Sequence, residues 1–307
     1  MAVDAGALAA GPPGRRARLR LSGLLWRRPW LKALGLLTPP LGAFVIVYVG
    51  ALAVLFVSSF WTVNSFTAEI EHTWTLANYR QIFSSGQPYL HIAALTLEIA
   101  AAVTFTDAVL AFPLAYFMAR LAGRKTRALL FVMALLPLWS SYLVRIYAWQ
   151  TILSHDGAIN WALNGLGLPD QNLAYTNWAM WIVFSYVWLP FMILPVYAAL
   201  ERIPDSYLEA SADLGARGFR TFRSVILPLA LPGVVAGSIF TFSLTLGDYI
   251  TPLLVGGPSS QFIGNVVYDF VGINANVPFA AAFATIPMLI MGAYLLIARR
   301  LGAFEAL

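Results

Sequence analysis

The sequence predicts an all-α integral membrane protein of about six transmembrane helices, with both termini on the cytoplasmic side. Three observations carry that expectation. Of the 307 residues, 60% are hydrophobic and only 11% charged, and the mean hydropathy is +0.74. Soluble domains carry about 25% charged residues, so this chain has too little charge to cover a water-facing surface. Six apolar runs, at about 34–61, 92–119, 128–152, 178–200, 224–246 and 279–300, meet the roughly 20 residues that a helix needs to cross a bilayer. Finally, seventeen of the nineteen Lys and Arg residues fall in alternate connections, on one side of such a six-span path.

Residues 1–33 form an Arg-rich leader (Arg15, Arg16, Arg18, Arg20, Arg27, Arg28), and residues 34–307 form the membrane domain. The first run is far longer than the roughly 7–15-residue apolar core of a secretory signal, so it is expected to be a retained span. The connection at 62–91 includes a polar stretch, Thr67–Thr73, and carries Arg80 as its one basic residue, which puts it outside. The second run contains Glu98 and Asp107. Nine residues at about 100° each separate them by roughly 900°, so they face opposite sides of the helix. Arg120, Arg124, Lys125 and Arg127 then mark a cytoplasmic turn.

The third run contains Pro137 and Arg145. The connection 153–177 has no Lys or Arg and is expected outside. The fourth run contains Pro190 and Pro195, the fifth Pro228 and Pro232, and the sixth Pro287, before Arg299 and Arg300 close the chain on the cytoplasmic side. Proline is tolerated in membrane helices, so kinks rather than ends are expected at all these positions. The connection 247–278 again lacks Lys and Arg and holds short apolar pieces at Tyr249–Val255 and Phe262–Val271. These are expected to be interfacial or re-entrant.

Several chemistries are missing. Cysteine is absent, so disulfides and thiolate sites are excluded. The only lysines, Lys32 and Lys125, do not end a Gly-rich phosphate-binding turn. The three histidines, His72, His91 and His155, are far apart, with no H-E-x-x-H, and no G-x-S-x-G turn appears. The basic residues form no single face for nucleic acid. These absences argue against an enzyme and leave a channel, a secondary transporter or one part of a larger machine.

The cytoplasmic connection at about 201–223 is the most informative segment. Pro204 suits the start of a helix, Asp205 and Glu209 favour its N-terminal end, and Gly215 suits its C-terminal stop. Phe219 and Phe222 lie three apart on a second short element, among Arg217, Arg220 and Arg223. Small residues at Ala210 and Ala212 permit close approach of a partner. Composition alone equally allows a connector resting among lipid headgroups.

The run Glu209-Ala210-Ser211-Ala-Asp-Leu-Gly215, followed by Ile226, Pro228, Pro232 and Gly233, resembles the E-A-A loop of binding-protein-dependent ABC importer permeases. Ser211 replaces the usual second alanine, small for small. The resemblance runs from about residue 34 to the end. It implies a type I ABC importer permease fold in a bacterial cytoplasmic (inner) membrane. It also implies two ATP-binding cassette subunits, a second homologous permease subunit and an extracytoplasmic solute-binding protein. No cofactor belongs to this chain; ATP and magnesium are used by the partner ATPase.

Two further segments, Pro137–Gln150 and Gly247–Gly257, are similar to spermidine/putrescine permeases, so a polyamine is the expected solute. The alternatives are another small solute, such as an amino-acid derivative or an inorganic ion, and a self-sufficient secondary transporter. Candidates for the solute path are Asp107, Trp139, Tyr142, Arg145, Asp248 and Tyr249. An intramembrane carboxylate suits a cation, though a carboxyl bonded to a neighbouring helix is as good a reading of Asp107. Arg145 would repel a polyamine and is read as an ion-pair or gate residue. Trp149, Tyr186 and Trp188 add aromatic faces, a role they share with ordinary interfacial anchoring.

Overall fold

A computed structural model describes residues 29–64 and 66–300. The leader therefore lies almost wholly outside the described residues. The chain divides into two compact units, Met1–Val57 and Ser58–Leu307. In the first unit, helix α1 (Pro29–Phe44) runs through a π-helical turn (Val45–Val49) into α2 (Gly50–Ser58). Pro39 and Pro40 lie inside α1 without ending it.

The second unit begins with the only strands among the described residues. Thr62–Val63 (β1) pairs antiparallel with Ile70–Glu71 (β2), so the polar stretch is a small hairpin rather than open loop. Helix α3 (Ala77–Phe83) follows, then the long helix α4 (Tyr89–Tyr116), which ends in a π-helical turn at Phe117–Leu121.

The third apolar run departs from expectation. Instead of one kinked span it forms α5 (Arg124–Leu135), a 3-10 turn (Leu136–Trp139) and α6 (Tyr142–Leu153). The two arms, with the latter extended through the short α7 (Ala158–Gly165), meet at 95°. Leu136 keeps helical dihedrals and Pro137 lies within the 3-10 turn; the chain leaves helical geometry at Ser140 and Ser141, whose ψ angles are 152° and 137°. Pro113, Pro190, Pro195, Pro232 and Pro287 all lie inside continuous helices, as anticipated.

The remaining elements are α8 (Asn177–Glu201), α9 (Asp205–Asp213), α10 (Gly218–Thr221), a π-helical turn (Phe222–Ile226) and α11 (Leu227–Gly247). After these come α12 (Ile250–Val255), α13 (Ile263–Gly272) and α14 (Val277–Arg300). Five helices are long and apolar enough to cross a membrane, or up to six when the bent pair counts as one span. Helices α12 and α13 occupy the apolar pieces read from the final loop.

The centre of this unit is a three-helix seam of α4, α8 and α11, with Ala111, Ala115, Met192, Val196 and Ala230 among its buried residues. In lipid, apolar burial does not drive helices together. Close packing between small residues does. Gly233 and Gly237, four apart on α11, supply it. A Cβ on Gly233 would come within 2.3 Å of the Ala199 Cβ and 2.7 Å of the Pro195 carbonyl oxygen, both on α8. One on Gly237 would come within 2.7 Å of the Met192 sulfur. A second cluster, including Tyr89, Ile263, Phe279 and Phe283, joins α4, α13 and α14.

Candidate functional site

The connection between α8 and α11 folds as a helix, a tight bend and a second helix. Pro204 precedes α9 and Asp205 opens it. Gly215 adopts φ +77°, a left-handed conformation that costs an L-residue roughly 1–2 kcal/mol and glycine almost nothing. The bend is closed by Gly215 N–H donating to Ala212 O at 2.8 Å and Ala216 N–H to Ser211 O at 3.0 Å, a pairing of the Schellman kind. Ser211 is buried, and its hydroxyl lies 3.0 Å from that of Thr221. The serine therefore stitches the two arms together, which alanine there would not do.

Glu209 and Ala210 are exposed. Leu214 is 87% and Phe219 77% exposed. Beside them Tyr207, Ala210, Ser211, Leu214, Ala216 and Arg220 line an open groove of about 460 Å³. Phe219 and Phe222 do not share a role. Phe222 turns inward and meets Phe112 of α4 edge-on at 5.5 Å, while Phe219 points out. The outer surface of the loop is thus apolar, small-grained and rimmed by charge.

The roots of the loop are held by residues that the sequence reading used only for orientation or helix polarity. Arg120 donates to Asp205 Oδ1 at 2.6 Å, to Leu200 O at 2.8 Å and to Ile203 O. Arg127 donates to Glu201 Oε1 at 3.3 Å and to Ala119 O at 3.2 Å, and Tyr197 donates to the same Glu201 oxygen at 2.8 Å. Eighty-five residues separate Arg120 from Asp205, so no local spacing reveals the pair.

The solute-path candidates fall into separate places. Tyr142 stacks on Trp188 at 5.6 Å, its hydroxyl bonds Asp248 Oδ2, and it lies 2.8 Å from Thr251 Oγ1. Asp248 Oδ1 accepts from Ile250 N–H at 2.7 Å and Thr251 N–H at 3.0 Å. Burial pushes this carboxyl above its ordinary value, and the bonds from Tyr142, Thr251 and Ile250 oppose that shift. Its acceptor positions are engaged within the chain, so Asp248 ties α6, α11 and α12 together. Gln150 adds a parallel tie from α6, donating to Leu254 O at 2.9 Å. The Arg145 guanidinium lies 5.8 Å from the Tyr142 ring centre, and its Nε and Nη1 have no protein partner. Trp139 is almost fully exposed, and Tyr249 stacks on Tyr268 at 4.8 Å.

Asp107 belongs to neither group. It is fully buried on α4, where its carboxyl faces the Ser185 hydroxyl of α8 without forming a well-aligned hydrogen bond, while Glu98 is exposed, as the rotation between them requires. The Trp188 indole N–H on α8 is buried without a partner. Among the described residues no group of acidic or histidine side chains is placed to hold a metal.

Comparison with known proteins accounts for this arrangement. Residues 111–302 match the family described as the binding-protein-dependent transport system inner membrane component. The chain is 47% identical to the inner membrane ABC transporter permease protein YdcU of Escherichia coli (strain K12), over 96% of this chain and 97% of that one. It is 34% identical to the spermidine/putrescine transport system permease protein PotB of the same organism, over 74% of this chain and 82% of that one. A bacterial alginate ABC transporter shares the fold with TM-score 0.73 at 17% identity, covering 94% of this chain and 98% of that chain. The MetNI methionine ABC transporter does so with TM-score 0.53 at 18% identity, covering 72% and 99% respectively. The apolar helices, the hairpin between α8 and α11 and the family match converge, and the chain belongs to the binding-protein-dependent ABC transport permeases of the inner membrane.

Proposed function

We propose that this permease carries a polyamine, of the putrescine or spermidine type, across the inner membrane of a bacterium. The relatives named as spermidine/putrescine permeases support the solute, since they align over most of this chain. Its partners are two ATP-binding cassette subunits, a second homologous permease chain and an extracytoplasmic binding protein that delivers the solute. ATP and magnesium act in the cassette subunits. The bent pair α5–α6 counts as one pass, giving six spans with both termini in the cytoplasm, and residues 1–33 form a cytoplasmic leader ahead of the permease domain.

The observation that carries this reading is the stiff hairpin between α8 and α11. Glu209, Ala210, Ser211 and Gly215 build it, and Leu214 and Phe219 offer an apolar knob to the cassette subunit. A push on a floppy loop is lost as disorder; a hairpin closed by backbone bonds transmits it. At the outer end, Tyr142, Trp188 and Asp248 set the position of the mouth, and Trp139, Arg145 and Tyr249 face what passes or what docks there. The chain that is 47% identical carries no solute in its name, so another small organic solute is the second reading.

Two experiments test these claims separately. Glu209→Arg is expected to lose the cassette subunits on co-purification while the permease still inserts; full retention would defeat the docking role. For the solute, the reconstituted transporter is expected to raise its ATP hydrolysis when its binding protein is loaded with putrescine or spermidine. Stimulation by a different solute, with polyamines inert, would overturn the polyamine assignment and leave the docking role untouched.

A further inference from the structure

We propose that Arg120 is a positioning residue that clamps the cytoplasmic hairpin to the end of α4, so that α4 moves with the hairpin as one body. This rests on the hairpin being the ATPase dock, and it deepens that reading by naming a third helix that receives the stroke. Covalently, the hairpin is attached only to α8 and α11. Arg120 sits outside both, in the π-helical turn at the end of α4, with its side chain 13% exposed.

One guanidinium spans the whole entry to the hairpin. Nη1 holds Asp205, the first residue of α9, while Nη2 holds the carbonyl of Leu200 in the last turn of α8 and that of Ile203, two residues beyond its end. The Leu200 carbonyl belongs to a helix terminus, where the last acceptors have no partner within the helix, and a cation there is also favoured by the helix dipole. Asp205 itself is 81% exposed, and an ion pair with so exposed a partner contributes little alone. The strength of the clamp therefore lies in the carbonyl bonds, and Asp205 supplies the direction. Only a planar fork of donors reaches three acceptors on two elements; a lysine ammonium is a single point of charge.

The exit from the hairpin is gripped by the same helix. Phe112, two turns before Arg120 on α4, meets Phe222 edge-on at the start of the segment that leads into α11. Helix α4 thus touches both roots of the hairpin, with a polar clamp at the entry and an aromatic contact at the exit. Arg127, in the first turn of α5, adds Glu201 to the same assembly. Movement delivered to the hairpin cannot pass into α8 and α11 without also displacing α4.

The test uses the assembled transporter, and the absence of cysteine from this chain makes it direct. Spin labels are attached at Leu121→Cys and Ser206→Cys, both exposed positions, and their separation is measured without nucleotide and after trapping with ATP and vanadate. With Arg120 present the separation is expected to be the same in both states. In Arg120→Gln it is expected to differ between them, and ATP hydrolysed per solute taken up is expected to rise by about fivefold, the low end of coupling between linked sites. Arg120→Lys, which keeps the charge but not the fork, serves where the glutamine variant assembles poorly, and it is expected to show the same change in separation. A separation that changes with nucleotide while Arg120 is intact would overturn the clamp, as would an Arg120→Lys protein indistinguishable from its parent. Failure of the docking role reads differently: cassette subunits would then be retained by the Glu209→Arg permease.

Discussion

At the scale of single residues, the two carboxylates of the candidate path have opposite circumstances. Asp248 is saturated by donors from its own chain, whereas Asp107 has only the Ser185 hydroxyl beside it, outside good hydrogen-bond geometry. A buried polar group left unmatched costs about 1–3 kcal/mol, and Asp107 is enclosed by the bundle of a single chain rather than facing a partner. Asp107→Leu is therefore expected to raise the thermal stability of the purified transporter by about 1–3 kcal/mol, and Asp107→Asn to leave uptake unchanged. Loss of uptake in a well-folded Asp107→Asn protein would place the residue in the solute path. The sequence showed the depth of Asp107 and its rotation from Glu98 but not its surroundings. Burial is a property of the neighbours, and α8 contributes them from about eighty residues further on. For the same reason, Arg120 and Asp205 read as an orientation charge and a helix-start residue, though they are partners.

At the scale of elements, hydropathy predicted where helices lie and failed where one of them breaks. Length and apolarity count residues; they carry no term for the geometry at Ser140–Ser141, where the third run turns through 95°. The other prolines lie inside helices that stay whole, including the exposed Pro39 and Pro40 of α1. The hairpin was legible in detail, because its signals are local: a proline start, acidic first turn, and a glycine at φ +77°. The close seam of α8 and α11 sets a further expectation. Gly233→Val places a branched side chain where even a Cβ meets Ala199 at 2.3 Å, and overpacking of this kind costs about 1–3 kcal/mol. Thermal unfolding in detergent is expected to fall accordingly, while insertion is preserved. A variant as stable as its parent would mean that the seam yields more readily than its spacing implies.

At the scale of the whole molecule, the distribution of positive charge determines the expected topology. With no native cysteine, each introduced thiol reports alone. A membrane-impermeant maleimide added to intact cells is expected to label Asp156→Cys and spare Glu209→Cys, with the reverse for inverted vesicles. Labelling of Glu209→Cys from outside would sink the assignment of the hairpin as a lever reached from the cytoplasm. The family was legible because its signature sits on one short, self-contained segment. The cluster around Asp248 was not, since it joins residues 142, 188, 248 and 251 from four elements.

The break between α5 and α6 has an architectural consequence. A continuous helix hides its peptide groups from hydrocarbon, but the corner at Ser140–Ser141 exposes some of them; Ser140 satisfies one carbonyl, and the Ser141 side chain caps nothing. Oil offers such groups no bonds, so irregular backbone at membrane depth is stable only against protein or water. On the proposed six-span reading the elbow lies at membrane depth as an unfinished edge, and a solitary copy of this permease would be an unsheathed blade. It is expected to be degraded when produced alone and to persist when its companion subunits are made beside it.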